Sequence, residues 1–216
     1  SPRILVLKYL GVFKEQIKYR NTQYMEVGTA SHTRWGNKFS KSGLLLESET
    51  YIPKHPDFDL RGKLDFVIRS TFPQHDRLLI ELKTTGDDNW KSMKVPESNH
   101  LAQWSTYSDR KRIPAGFVVY ENRDSLEANF FPVLLEGPNL KVYSKDGFLI
   151  TTNLDFMIQL YNKVKFSIWC AGNQKFPTLK CSECIKFGCK QPQLCEEFEK
   201  TKTLVTIEDW KKEVGL

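Results

Sequence analysis

Three short apolar segments separated by turn residues constrain the fold of this chain most. They cover residues 44–52, 63–69 and 78–84 and are rich in Ile, Val and Leu. The stretches between them, 53–59 and 71–77, are rich in Pro, His and Asp, which favour turns. This pattern predicts a three-stranded β-meander.

The other elements follow from apolar residues spaced at a helical period or grouped in short buried runs. The pattern predicts helices at 97–112 and 154–169, strands at 116–120 and 129–135, and two helices within 4–39 that break at Gly11 and at Asn21-Thr22. We therefore predict an α/β domain with a mixed central sheet flanked by helices over residues 1–169. A Cys-rich metal-binding segment, 170–216, is expected to pack on this core.

Charge and hydropathy indicate which classes of partner the chain can have. The chain has 32 Lys and Arg against 26 Asp and Glu, a formal net charge of +6, which suits an anionic partner such as nucleic acid but is a weak signal alone. No apolar run approaches the about 20 residues of a membrane span, and no signal-peptide pattern is seen at the start. We expect an intracellular protein without a membrane partner.

Two neighbouring predicted strands carry two carboxylates and a lysine. Asp65 begins one strand, and Glu81-Leu82-Lys83 lies in the next, where alternation puts Glu81 and Lys83 on the same face. Asp65, Glu81 and the Leu82 carbonyl are oxygen donors of the kind that Mg²⁺ prefers. Lys83 could then orient the attacking water in phosphodiester hydrolysis. The alternative is that Glu81 and Lys83 form a surface ion pair. The apolar residues before Glu81 indicate a buried strand instead, and buried charges must be paired or bind a metal.

The order of these residues resembles a known nuclease family. Gly62-Lys63-Leu64-Asp65 followed by Glu81-Leu82-Lys83 looks like the G-x-x-D and E-x-K core of PD-(D/E)xK nucleases. Upstream, Gly28 to His32 resembles the G-x-x-x-H of the RecB-like branch, and downstream Gln103 to Tyr107 resembles its Q-x-x-x-Y. The chain is thus similar to RecB-like nucleases of the AddB and CRISPR-associated type over residues 28–107.

The resemblance implies a restriction-endonuclease-like core and a DNA nuclease that depends on Mg²⁺ or Mn²⁺. It implies an exonuclease that acts on DNA ends or single strands in recombination, repair or replication. The implied catalytic residues are Asp65, Glu81, Lys83, Gln103 and Tyr107, and the implied metal ligands are His32, Asp65, Glu81 and Leu82.

Other functions stay open beside this one. They are a structure-specific endonuclease, a catalytically silent DNA-binding or assembly module, and a cysteine-based redox or zinc adaptor. The sequence has no helicase motif with a phosphate-binding Gly-Lys-Ser/Thr loop, so a helicase or recombinase would be another chain. We expect cytoplasmic localisation, in the host-cell cytoplasm if the protein is phage-encoded.

Four cysteines, Cys181-x2-Cys184-x4-Cys189-x5-Cys195, crowd the C-terminal part after Cys170. Such thiolates suit zinc or an iron-sulfur cluster. The resemblance implies a 4Fe-4S cluster with three C-terminal cysteines, here Cys181, Cys184 and Cys189. Those families take their first cysteine from upstream of G-x-x-x-H, where this chain has none. The fourth ligand is then Cys195 or Cys170, or the site binds structural Zn²⁺ with one cysteine spare. Free buried thiols without a metal are the remaining alternative.

Residues near these motifs suggest how DNA is held. Arg34, Trp35 and Lys38 follow His32, and phosphate contacts with base stacking would suit a single strand. The polar stretch 84–97 is expected to be a loop that clamps substrate. The remaining histidines are expected to be solvated: His55, His75 and His100.

Overall fold

The computed structural model describes residues 6, 10, 19–57, 62–178 and 192–216, with side chains for all of these except 19–22 and 192–196. The chain divides into two compact units, Ile17–Met157 and Ser1–Gln16 together with Ile158–Leu216. The predicted division into 1–169 and 170–216 stays a prediction.

A mixed sheet is the centre of the unit Ile17–Met157. Its elements are helix α1 (Tyr19–Lys41), strands β1 (Leu45–Tyr51), β2 (Lys63–Arg69) and β3 (Arg77–Thr85), helices α2 (Asp87–Ser92) and α3 (Ser98–Lys111), and strands β4 (Ala115–Asn122), β5 (Ala128–Glu136), β6 (Asn139–Tyr143) and β7 (Leu149–Asn153). Among the described residues these seven strands form one sheet in chain order. All neighbours are antiparallel except β3 and β4, which run parallel. Helices α2 and α3 lie in the β3–β4 connection, because parallel neighbours need a crossover. The predicted α/β fold with a mixed sheet and flanking helices is confirmed.

Helices α1 and α3 pack against opposite faces of the sheet. Phe66, Ile80 and Leu82 are buried in one cluster, against which Trp35 and Phe39 of α1 pack. The residues on the opposite face of the sheet are directed towards α3. Tyr120, which pairs with Lys83 across β3 and β4, is one of them and contacts His100 of α3. The E-x-K motif thus separates its residues: Leu82 enters the α1-side core, and Glu81 and Lys83 point to the α3 side.

Several predicted boundaries are wrong. The break at Asn21-Thr22 is absent, because α1 runs through these residues, and the expected clamping loop 84–97 contains helix α2. The Gly11 break lies outside the described residues. Strands β6 and β7 were not predicted: β6 buries only every second residue, and β7 is an edge strand with largely exposed residues.

The second unit has its own apolar core. Helix α4 (Phe156–Gly172) is followed by β8 (Lys175–Pro177), α5 (Pro192–Thr201), β9 (Thr203–Val205) and α6 (Ile207–Val214), with β8 and β9 paired in parallel. Phe166, Phe176 and Trp210 are buried together in this unit. Helix α6 begins with a capping box in which Thr206 and Asp209 exchange hydrogen bonds. Nowhere in the described part of the chain is a helix both long and apolar enough to span a membrane.

Candidate active site

The candidate site lies where strands β2 and β3 stop pairing. Their antiparallel register runs from Arg69–Arg77 to Phe66–Ile80. The next backbone N–H of β3 on that side belongs to Leu82, and it donates to Asp65 Oδ2 at 2.7 Å instead of to a backbone carbonyl. In a strand, the N–H and C=O of one residue point to the same neighbour. The Leu82 carbonyl therefore faces the same gap as the Asp65 carboxylate.

Glu81 is a fully buried carboxylate with one unsatisfied oxygen. Its exposed fraction is 0%, and Lys83 Nζ donates to its Oε1 at 2.5 Å. Its Oε2 has no hydrogen-bond partner within the described part of the chain. A buried oxygen of this kind costs free energy unless a donor or a cation completes its coordination.

The electrostatics of this pair favour added positive charge. Burial and, to a smaller extent, the negative charge of Asp65 raise the pKa of Glu81 to about 8, against the lowering effect of Lys83. Burial also raises the pKa of Asp65, although Lys83 and His32 act in the opposite direction. Two carboxyl groups in one desolvated place repel each other, and a divalent cation between them would favour their ionised forms.

Helix α1 adds an imidazole to the same place. His32 Nε2 lies 3.8 Å from Asp65 Oδ2, and His32 Nδ1 lies 2.8 Å from Glu49 Oε1 on β1. The imidazole ring packs beside Phe66, with 5.8 Å between ring centroids. One ligand atom from each of His32, Glu49 and Asp65 falls within 4.8 Å of the others. The structure therefore brings the predicted ligands His32 and Asp65 together and adds Glu49 beside them.

Gln103 and Tyr107 of α3 cover the site from the other side. Gln103 Nε2 donates to Tyr107 Oη at 3.1 Å, so the hydroxyl proton of Tyr107 is left for another acceptor. Burial, with a smaller contribution from Glu81, raises the pKa of Tyr107 to about 12, so the phenol stays protonated at neutral pH.

Gly62 explains how the tyrosine comes so close to the start of β2. A Cβ atom added at Gly62 would lie 2.7 Å from both Cε1 and Oη of Tyr107. Any larger side chain would collide with the ring. The Gly of G-x-x-D and the Tyr of Q-x-x-x-Y are therefore in direct contact in this fold.

A cleft of about 700 Å³ opens onto the site between α1 and β1. It is lined by Gly28, Thr29, His32, Thr33, Gly36, Asn37, Ser40, Leu45, Ser48, Glu49 and Asp65. Apart from the three ionisable residues at one end, the lining is small and mostly neutral. The cleft gives an extended ligand a path along α1 to Asp65.

A buried carboxylate on β4 anchors α1 and was missed in the sequence. Glu121 is 1% exposed and accepts hydrogen bonds from Ser31 Oγ at 3.0 Å, from Trp35 Nε1 at 2.6 Å and from Arg34 Nη2. Arg34 and Trp35 are thus both held by Glu121, and the expectation that they contact DNA stays a prediction. Lys38 is free of this network and lies over the Trp35 ring at 5.0 Å. A charged residue that directly follows the apolar run of β4 was the available signal.

Two of the histidines expected to be solvated are not. His55 is 7% exposed, and its Nδ1 accepts from the Asp57 N–H at 3.1 Å. His100 Nδ1 lies 2.7 Å from Tyr120 Oη, which also accepts from the Glu97 N–H at 2.9 Å. Burial, helped by the charge of Lys83, lowers the pKa of His100 to about 4.

Most of the C-terminal cysteines lie outside the residues that the structure describes. Cys181, Cys184 and Cys189 lie outside the described residues, and Cys195 lies in α5 with its side chain undescribed. Cys170 is buried in the apolar core of the second unit, where burial raises the pKa of its thiol to about 12. The cluster and its ligand set stay predictions.

Comparison with known proteins adds little. No protein-family model matches the chain, and no curated protein matches it. A solved structure described as the crystal structure of SSO0001 is similar over 78% of this chain and 83% of that chain, with 15% sequence identity and a TM-score of 0.41. A likeness at this level carries no argument about function, so the residues of the site must carry it.

Proposed function

We propose that the chain is a divalent-metal-dependent DNA nuclease with a PD-(D/E)xK core, which hydrolyses phosphodiester bonds at DNA ends or in single strands. The observation that carries the proposal is the buried Oε2 of Glu81, which has no hydrogen-bond partner among the described residues, beside a second buried carboxylate, Asp65. Lys83 shares a strand face with Glu81 and contacts its other oxygen. This is the constellation that the resemblance to RecB-like nucleases requires.

The donors present fit Mg²⁺ or Mn²⁺. Asp65, Glu81 and the Leu82 carbonyl offer oxygen, and His32 offers Nε2, which are ligands these cations accept. A cation bound by these residues would complete the coordination of Glu81 Oε2 and would favour the ionised forms of both carboxyl groups, whose pKa values burial raises. When bound, the cation supplies Lewis-acid stabilisation of the phosphoryl oxygens and lowers the pKa of water.

The side chains around the carboxylates have distinct roles. The Lys83 side chain is 23% exposed, against 0% for Glu81, so its ammonium lies between the buried pair and the solvent. There it orients the attacking water and offsets charge that develops on phosphorus. The Tyr107 hydroxyl, whose oxygen already accepts from Gln103, donates its proton to a phosphate oxygen. Gln103 thus acts by holding Tyr107.

The cleft supports a single-stranded or end-directed substrate. Its volume of about 700 Å³ lies within the roughly 300–1,000 Å³ of small-ligand sites. That space suits a short piece of one strand better than a duplex. Two glycines, Gly28 and Gly36, lie along the lining. A Cβ atom at Gly36 would lie 3.3 Å from Cε1 of Phe66, so this glycine allows α1 to pack closely on β2.

The proposal is tested with end-labelled single-stranded and duplex linear DNA and with closed circular DNA, in Mg²⁺, Mn²⁺ or EDTA. We expect cation-dependent degradation of linear DNA, at least about 100-fold slower in Lys83→Met, with DNA binding retained. Lys145→Ala, an exposed lysine in the β6–β7 turn, is the matched control and should cleave normally. Cutting of circular DNA would indicate an endonuclease, and binding without cleavage under any cation would leave a DNA-binding module.

We also propose that the C-terminal cysteines hold a 4Fe-4S cluster, with structural Zn²⁺ as the alternative. The spacing of Cys181, Cys184, Cys189 and Cys195 supports a compact thiolate site. Visible absorption together with iron, sulfide and zinc analysis of the purified protein distinguishes the two metals. Protein that contains neither would refute the cluster and leave the nuclease proposal intact.

A further inference from the structure

We infer that Glu49 is a positioning residue that fixes the imidazole of His32 for the cation, a role that no motif of the nuclease resemblance assigns. This inference rests on the proposed function, since it names how that site is prepared. The carboxylate of Glu49 can only accept a hydrogen bond. At 2.8 Å from Glu49 Oε1, Nδ1 of His32 therefore carries the ring proton.

The other ring nitrogen then has its lone pair free. His32 Nε2 points to the side of Asp65, 3.8 Å from Oδ2, where the cation would be held. A carboxylate that accepts from one imidazole nitrogen while the other ligates a metal fixes both the tautomer and the ring orientation, and strengthens the ligand. The imidazole of His32 lies between Glu49 on its Nδ1 side and Asp65 on its Nε2 side.

The backbone of β1 is adapted to this contact. Glu49 has φ +50°, a left-handed conformation that non-glycine residues adopt at a cost of about 1–3 kcal/mol. The neighbouring register pairs, Ser48–Phe66 and Thr50–Leu64, bracket Glu49 and Asp65 on the two strands. A strained backbone that places a carboxylate against His32, directly beside Asp65, points to a functional demand.

Glu47 provides a matched comparison on the same strand. Its Oε2 accepts from Lys111 Nζ at 2.6 Å, so it belongs to an ion pair with α3. The second oxygen of Glu49 lies 3.9 Å from Lys63 Nζ, a loose contact that leaves Glu49 Oε1 to His32. Replacing either glutamate by glutamine removes one negative charge from β1, but only Glu49→Gln alters the partner of His32.

Two measurements on the full chain test the inference without cleavage. Mn²⁺ binding, followed by electron paramagnetic resonance in the absence of DNA, should weaken about 10–100-fold in Glu49→Gln, with unchanged stoichiometry. Glu47→Gln should bind as the wild type does, and Glu49→Asp should recover part of the affinity. Long-range ¹⁵N–¹H correlation of the metal-free protein should show the Nδ1–H tautomer of His32 in the wild type and its loss in Glu49→Ala.

Three results would overturn the inference. They are an Nε2–H tautomer in the wild type, equal Mn²⁺ affinity of the Glu49→Gln and Glu47→Gln variants, and a fall in stoichiometry in Glu49→Gln, which would make Glu49 a direct ligand. Equal urea midpoints of the variants exclude misfolding as the cause. Failure of the proposed function looks different: the wild type itself would bind no Mn²⁺, while the tautomer would still decide the role of Glu49.

Discussion

Replacing Gly62 by alanine tests how closely Gly62 of the G-x-x-D motif packs against Tyr107 of the Q-x-x-x-Y motif. The new Cβ would lie 2.7 Å from Cε1 and Oη of Tyr107, about 1 Å inside the roughly 3.5–4.0 Å of a favourable carbon contact. The tyrosine cannot easily move away, because it is buried and Gln103 holds its hydroxyl. We expect Gly62→Ala to lower the free energy of unfolding by about 1–3 kcal/mol, the usual cost of overpacking.

A double-mutant cycle isolates the cause of this loss. Tyr107→Ala removes both close atoms, so Gly62→Ala should cost almost nothing in that background, whereas Tyr107→Phe removes only the hydroxyl and should relieve part of the strain. Urea titrations followed by circular dichroism give the four free energies. Gly172→Ala is the control of opposite sign: no described residue lies within 4 Å of its Cβ position, and alanine in a helix should stabilise by up to about 1 kcal/mol.

An equal loss of stability from Gly62→Ala with and without the Tyr107 side chain would show that the tyrosine is not its cause. Gly62 has no left-handed φ among the described backbone angles, so alanine there should carry no conformational penalty of its own. Reduced flexibility of the unfolded chain would even favour alanine by about 0.4–1 kcal/mol. A cost that persists without Tyr107 would therefore have to come from another contact.

Three further predictions concern charge. Glu121→Gln should lower the free energy of unfolding by about 1–3 kcal/mol in urea titrations, because Arg34 loses its charged acceptor; the exposed Glu127→Gln should change it by less than about 0.5 kcal/mol. The pKa of His100 is about 4 when folded and about 6.5 when unfolded, so protons bind the unfolded state first and stability should fall as pH drops from 6.5 to 4. The contribution of His100 to the slope cannot exceed about 1.4 kcal/mol per pH unit, because it binds a single proton; His100→Gln should flatten this dependence, and an equally steep variant would contradict it. Mn²⁺ should raise the thermal midpoint of the wild type but not of Asp65→Asn, as expected for a cation that binds the folded state; equal shifts would place the cation elsewhere.

The central elements were predictable because their apolar patterns are local. Short Val-, Ile- and Leu-rich runs bounded by turns predicted β1 to β5 to within about two residues at most ends, and a helical period predicted α3 and α4. Strand alternation alone also predicted that Glu81 and Lys83 share a face. Strands β6 and β7 have too few buried residues for such a pattern, so their place depends on pairing with β5, which is a tertiary effect.

The supporting residues of the site could not be predicted, because their partners are distant in sequence. Glu47 and Glu49 alternate on one strand, and no local pattern tells which of them meets His32. That choice depends on Lys111 taking Glu47, 64 residues away, and on the left-handed backbone at Glu49. The acceptor of Arg34, Glu121, is likewise 87 residues away.

The end of one strand ladder accounts for the order of the motifs along the chain. After Phe66–Ile80 the backbone of β3 loses its partner on the β2 side, so Asp65 satisfies the Leu82 N–H and the gap becomes available to a ligand. Because β3 and β4 are parallel, their crossover must return over the sheet, and it carries Tyr107 to the same gap. Gly62 must then be small where that helix passes. Asp65, Leu82, Tyr107 and Gly62 are therefore not separate coincidences of sequence: each lies next to this interruption of the sheet.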